Sequence, residues 1–119
     1  MNKFPVDIKE KWLTALRSGE YKQGKYYLKN DNNCYCCLGV LQMVLDGEVE
    51  CSDAGESYAV PTYVWCQKHD IALECLMGVQ KVPNNINKVN LRSHMTLVDM
   101  NDFYDFTFED IAKVIEHNL

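Results

Sequence analysis

An α+β fold, mainly helical with a small antiparallel sheet, is the class this sequence predicts, and three observations predict it. Amphipathic segments with capping signals stand near both ends, over about 5–18 and from Thr107 onward. A broadly apolar helix, Cys37 to Leu45, lies between them. The remaining short aromatic or β-branched runs are separated by turn clusters. They lack the strand–helix alternation that builds a parallel sheet.

Phe4, Ile8, Trp12, Ala15 and Leu16 recur at helical spacing, with Lys9, Glu10, Lys11 and Thr14 between them. Pro5 suits the first position of this helix, and Ser18-Gly19 supplies its stop. From Tyr21 to Leu28 the character changes. Lys25-Tyr26-Tyr27-Leu28-Lys29 reads as a strand ending in the turn Asn30-Asp31-Asn32-Asn33. The central helix follows, led in by Cys34-Tyr35-Cys36-Cys37-Leu38-Gly39 and ended by Asp46-Gly47. Its apolar arc is so wide that it is expected to be buried. Residues 47–60 are acidic and turn-rich around Ser52-Asp53-Ala54-Gly55-Glu56, with short strands at Val49 and Tyr58-Ala59-Val60. Pro61 opens a helix carrying Val64, Trp65 and Ile71. Leu76 to Val82 reads as a strand, Pro83-Asn84-Asn85-Ile86-Asn87 as a loop, and Asn90 to Asn101 as a helix with Leu91, Met95 and Val98 on one side. In the last helix Thr107 is the N-cap, with Asp110 three residues on, and Phe108, Ile111, Ala112 and Ile115 face the core.

At 119 residues, 47% apolar and 24% charged, one domain is expected. No apolar run approaches the ~20 residues that span a bilayer, so no membrane partner is expected. Met1-Asn2-Lys3-Phe4-Pro5-Val6-Asp7 has no apolar run behind its lysine, so no secretory leader is read. The six cysteines are then expected to be free thiols in a reducing compartment. The net charge of −5 divides unevenly: residues 1–30 carry seven bases and three acids, the rest five bases and fourteen acids. The acidic part argues against nucleic acid as a partner, while the basic part can steer a small anion or an acidic protein.

Three constellations can carry chemistry. Cys34, Cys37, Cys66 and His69 include short spacings suited to zinc, although no Cys-x-x-Cys knuckle is paired with a second one. Otherwise they are small buried apolar residues. Cys36 or Cys37 at a helix start suits a nucleophile activated by the helix dipole, with His69 or His94 as base and Asp99 or Asn101 orienting it. The third is Arg17-Ser18-Gly19-Glu20-Tyr21-Lys22-Gln23-Gly24-Lys25-Tyr26-Tyr27. Arg17 can grip a phosphate or carboxylate, and Tyr21 or Tyr26 can stack on a base. In the alternative, Gly19 simply ends a helix, Arg17 suits a helix C-terminus and Tyr27 is core. The segment is not a P-loop, and no cofactor is expected. Trp12 and Trp65 are expected in the core.

Lys11-Trp12-Leu13-x-Ala15-Leu16-Arg17-Ser18-Gly19-x-Tyr21-x-Gln23-Gly24, followed by Cys36-Cys37-Leu38-Gly39-Val40-Leu41, resembles a family of small uncharacterised proteins encoded by tailed bacteriophages. Leu97-x-x-Met100-Asn101-Asp102 and Phe108-x-x-Ile111-Ala112-x-Val114-Ile115-Glu116-x-x-Leu119 extend the resemblance over nearly the whole chain. Two places depart from the family's pattern. Trp65 stands one residue early after Pro61, and Gln42-Met43 replaces a Cys-Asp pair. The resemblance implies a phage origin and a host-cytoplasm setting, with no activity attached and no fixed histidine. The expected role is binding, not catalysis: a small anionic or nucleotide-like ligand, or a host protein. For a nucleotide, the expected contacts are Arg17, Tyr21, Gln23, Lys25 and Tyr26. The alternatives are a cysteine hydrolase using Cys36 or Cys37 with His94, and a protein-interaction module using the acidic 46–56 segment.

Overall fold

The computed structural model describes residues 4–86 and 92–119. Its element order is α1 (Val6–Ser18), α2 (Cys37–Asp46), α3 (Tyr63–Lys68), α4 (Leu73–Met77), β1 (Val79–Lys81), β2 (His94–Thr96), α5 (Leu97–Phe103) and α6 (Phe108–Asn118). This is an α+β fold: helices around one hydrophobic cluster, with β1 and β2 paired antiparallel in the register Val79↔Thr96, Gln80↔Met95 and Lys81↔His94. No helix among the described residues is long and apolar enough to cross a membrane.

The outer helices form where the periodicity places them. α1 buries Trp12, Leu13 and Leu16 and stops at Gly19, which takes the left-handed conformation. α6 starts with a complete capping box. The Thr107 side chain accepts from the Asp110 amide, and the Asp110 carboxylate accepts from the Thr107 amide. α1 packs against both α6 and α2. α2 lies at the centre, with every residue from Cys37 to Gln42 buried. The Trp12 indole donates to the Cys37 carbonyl at 2.9 Å and ties α1 to the first turn of α2. Trp65 is buried as well.

Gly39 explains why α2 can sit so deep. A Cβ built there would stand 1.8 Å from the Leu28 carbonyl oxygen, so only glycine lets residues 27–29 cross the helix this closely.

Several connecting segments differ from expectation. Residues 21–28 form no strand, only isolated bridges of Gln23 and Lys29 to Tyr35. Tyr26 has φ 74, which breaks extended pairing, and its amide donates to the Asp102 side chain. Around Val49 and Tyr58 the expected strands reduce to one bridge, Cys51↔Ser57, across a tight turn with Gly55 at φ 83. Pro61 does not open α3. Thr62 caps that helix through the Trp65 amide, and Ile71 lies beyond its end, after Asp70 at φ 56. The strand expected over 76–82 is confined to β1, and α4 precedes it. The helix expected over 90–101 begins at Leu97, where the Thr96 hydroxyl takes the Asp99 amide. Met95 belongs to β2, and Asn90 and Leu91 lie outside the described residues.

Candidate functional site

The opening turn of α2 is held by a dense set of hydrogen bonds. Asn101, 1% exposed, sits at its centre. Its Oδ1 accepts from the Gln23 amide at 3.0 Å and from the Cys37 backbone N–H at 3.3 Å. Its Nδ2 donates to the Gly24 carbonyl and to Asp102 Oδ1 at 2.8 and 2.9 Å. Gln23 also donates to the Phe106 carbonyl, at 2.8 Å. Residues remote in sequence thereby converge on one knot joining the 21–28 segment, α2 and α5. No buried side-chain nitrogen or oxygen among the described residues is left without a hydrogen-bond partner.

The ligand-contact set meets internal partners. Arg17 is held by Glu109 at 2.7 Å and Glu116 at 3.4 Å, bridging α1 to α6. The hydrogen bonds it donates to these two carboxylates raise its pKa. Lys25 pairs with Asp105 at 3.2 Å. Tyr21 packs edge-on against Tyr35, and Tyr26 lies against Phe103 with ring centroids 5.8 Å apart. Gln23 belongs to the knot.

The thiols differ from the activated cysteine that a helix start suggests. Cys36 is the N-cap of α2, and its Sγ accepts from the Gly39 amide at 3.4 Å. Burial nevertheless pushes its pKa up to about 11, outweighing the backbone donors. Burial raises Cys37 well above its ordinary value, and its Sγ lies 3.9 Å from the Leu97 carbonyl. Burial, with Glu50 nearby, pushes Cys66 up to about 11. His94 is exposed on β2, with Nδ1 3.0 Å from the Ser93 hydroxyl, while Asp99 lies in the first turn of α5, where its backbone N–H donates to the Thr96 cap. His69 Nε2 contacts Asp46 at 3.0 Å. Cys34, Cys37, Cys66 and His69 do not assemble: no group of three or more His, Cys, Asp or Glu side chains among the described residues can hold a metal ion.

The other end of α2 opens onto a cleft of about 830 Å³. One wall is Tyr27, Lys29, Asn30, Asp31 and Asn33; the other is Glu48, Val49, Cys51, Gly55, Glu56 and Ser57. Met43 and Gly47, at the end of α2, complete it. None of the five expected nucleotide contacts lines it.

Its walls are fixed from behind. The Leu28 amide donates to the Tyr58 carbonyl at 2.8 Å, and the Lys29 amide to the Ser57 hydroxyl at 3.1 Å. Buried Gln42 accepts from the Glu50 amide at 2.8 Å and donates to the Glu50 carboxylate at 2.9 Å. That carboxylate also takes the Thr62 amide and hydroxyl, at 2.8 and 2.6 Å. Beside this, Asp46 receives the Trp65 indole at 2.7 Å. Burial works to raise the Asp46 carboxyl, but the Trp65 and His69 hydrogen bonds outweigh it and hold its pKa below the ordinary value.

Two halves of this cleft are visible in sequence as the 30–33 turn and the acidic 46–56 segment. That they face each other is not, because the Leu28–Tyr58 and Lys29–Ser57 contacts that join them obey no short-range pattern. Tyr27 is half exposed at the rim, not core.

The chain belongs to the family described as a domain of unknown function (DUF8296), whose model matches residues 3–119. No curated protein and no solved structure matches the chain.

Proposed function

We propose that the chain is a phage-encoded accessory protein that acts in the host cytoplasm by binding a host protein, with the cleft at the end of α2 as its contact surface. The observation that carries this reading is a contrast in availability. The cleft gathers an exposed aromatic ring, an ammonium and several carboxylates around an open volume of about 830 Å³. Cys36 and Cys37, the thiols expected as nucleophiles at the helix start, are buried, and burial raises their pKa. The phage setting rests on the sequence resemblance. One departure from that family's pattern, Gln42-Met43, supports the same surface: Gln42 holds Glu50 behind the cleft, and Met43 lines it.

Site-specific photo-crosslinking tests the reading. A photoreactive phenylalanine analogue at position 27, introduced during infection, is expected to capture a discrete host protein. The same analogue at exposed Val79 on β1 is expected not to. Equal capture from both positions, or none from position 27, rejects the cleft as contact surface. Thermal-shift screening against cyclic and linear nucleotides tests the alternative of a nucleotide-like ligand; a shift lost in Arg17→Ala would favour it.

A further inference from the structure

We infer that the cleft receives an arginine side chain of a partner protein. This rests on the cleft reading above and adds the chemistry of the occupant. Asp31, Glu48 and Glu56 line the opening, with Lys29 as the cation among the lining residues. Lys29 Nζ already stands 5.9 Å from the centroid of the Tyr35 ring, so its charge has a partner within the chain.

The helix contributes in the same sense. α2 ends at this cleft, and its last turn holds no basic residue. The negative end of its dipole therefore adds to the field of the carboxylates. Arg17 and Lys25 lie outside the lining and are paired with Glu109, Glu116 and Asp105.

The apolar parts of the lining select among cations. Half-exposed Tyr27 places an aromatic ring in the lining, the kind of group on which a planar guanidinium stacks. Met43 and Val49 offer apolar surface for its methylene stem. A carboxylate of the rim can then take two guanidinium N–H groups side by side. A phosphate in the same place meets three carboxylates against one ammonium.

Fluorescence anisotropy with three labelled peptides, identical except for a central Arg, Gln or Glu, tests the inference, with ATP as an anionic probe. The Arg peptide is expected to bind at least ~10-fold more tightly than the Gln peptide. Its affinity is expected to fall as salt rises from about 0.05 to about 0.5 M. Glu48→Lys combined with Glu56→Lys is expected to remove the preference without lowering the melting temperature, and Lys29→Gln to strengthen binding. Equal affinity for Arg and Gln peptides, tighter binding of the Glu peptide or ATP, or an unchanged preference in the charge-reversed variant overturns the inference. A partner captured at position 27 without any Arg preference leaves the cleft reading standing and removes only this inference. Absence of both removes both.

Discussion

The two ends of α2 are built to opposite specifications. At its start, Asn101, Gln23, Cys37 and Gly24 saturate one another, and Gly39 admits a crossing backbone with no room to spare. At its finish, the polar groups that anchor the wall lie behind it, while Tyr27, Asp31, Glu48, Cys51 and Glu56 stand in the opening. The start holds the fold; the finish is available to another molecule. The most conspicuous sequence pattern, the paired cysteines ahead of Leu38-Gly39, marks the packed end and not the open one.

The largest effects are expected where the comparison is sharpest. Gly39→Ala drives a methyl group into the Leu28 carbonyl and is expected to cost about 4 kcal/mol or more, seen as insoluble expression or a collapsed urea midpoint. Asn101→Ala leaves the Gly24 carbonyl and the Cys37 and Gln23 donors without this partner. A loss of about 3 kcal/mol is expected, read as a fall in melting temperature on the order of 10 °C.

Asp46 supplies a smaller, pH-dependent effect at the far end of α2. Its folded pKa is lowered, so its contribution is fully present above the ordinary 3.8 and is lost as pH falls through the folded value. Urea titrations below about pH 4 are expected to lose stability more steeply for the native chain than for Asp46→Asn. Equal slopes would remove the Asp46 pairing as a stabilising contact. Smaller still, Arg17→Ala breaks a largely exposed pairing to α6 and is expected to cost less than ~1 kcal/mol, shrinking further in high salt.

The helices at the two ends of the chain were legible because their signals are local. The Thr107–Asp110 box, the Ser18-Gly19 stop and the apolar period of 3.6 act within a few residues. The central helix was legible for the same reason, including the buried place of Cys37. The 21–28 segment was misread as a strand because its aromatic composition favours one, while tertiary bonds to Asp102, Ser57 and Tyr58 decide its path. α4 and β1 were blurred into one element because each is too short to show a period. For the site, the acidic 46–56 segment and the 30–33 turn were each visible, but not that they face each other across one cleft. Arg17, Gln23 and Lys25 looked available because sequence does not show that Glu109, Glu116, Asn101 and Asp105 reach them.

Cys51 offers the most direct test, because it is an exposed thiol in the cleft, while Cys34, Cys36, Cys37 and Cys66 are buried and Cys75, partly exposed and outside the lining, is first replaced by serine. A bulky maleimide is expected to add to Cys51 in the folded protein, confirmed by mass spectrometry, and to leave the melting temperature within ~2 °C of the unmodified chain, as an exposed surface change should. The measurement is capture of the host protein from host lysate by the purified chain carrying the photoreactive analogue at position 27, before and after the modification. Loss of capture with the fold intact is the predicted result; undiminished capture by the modified protein would contradict the cleft as the working surface.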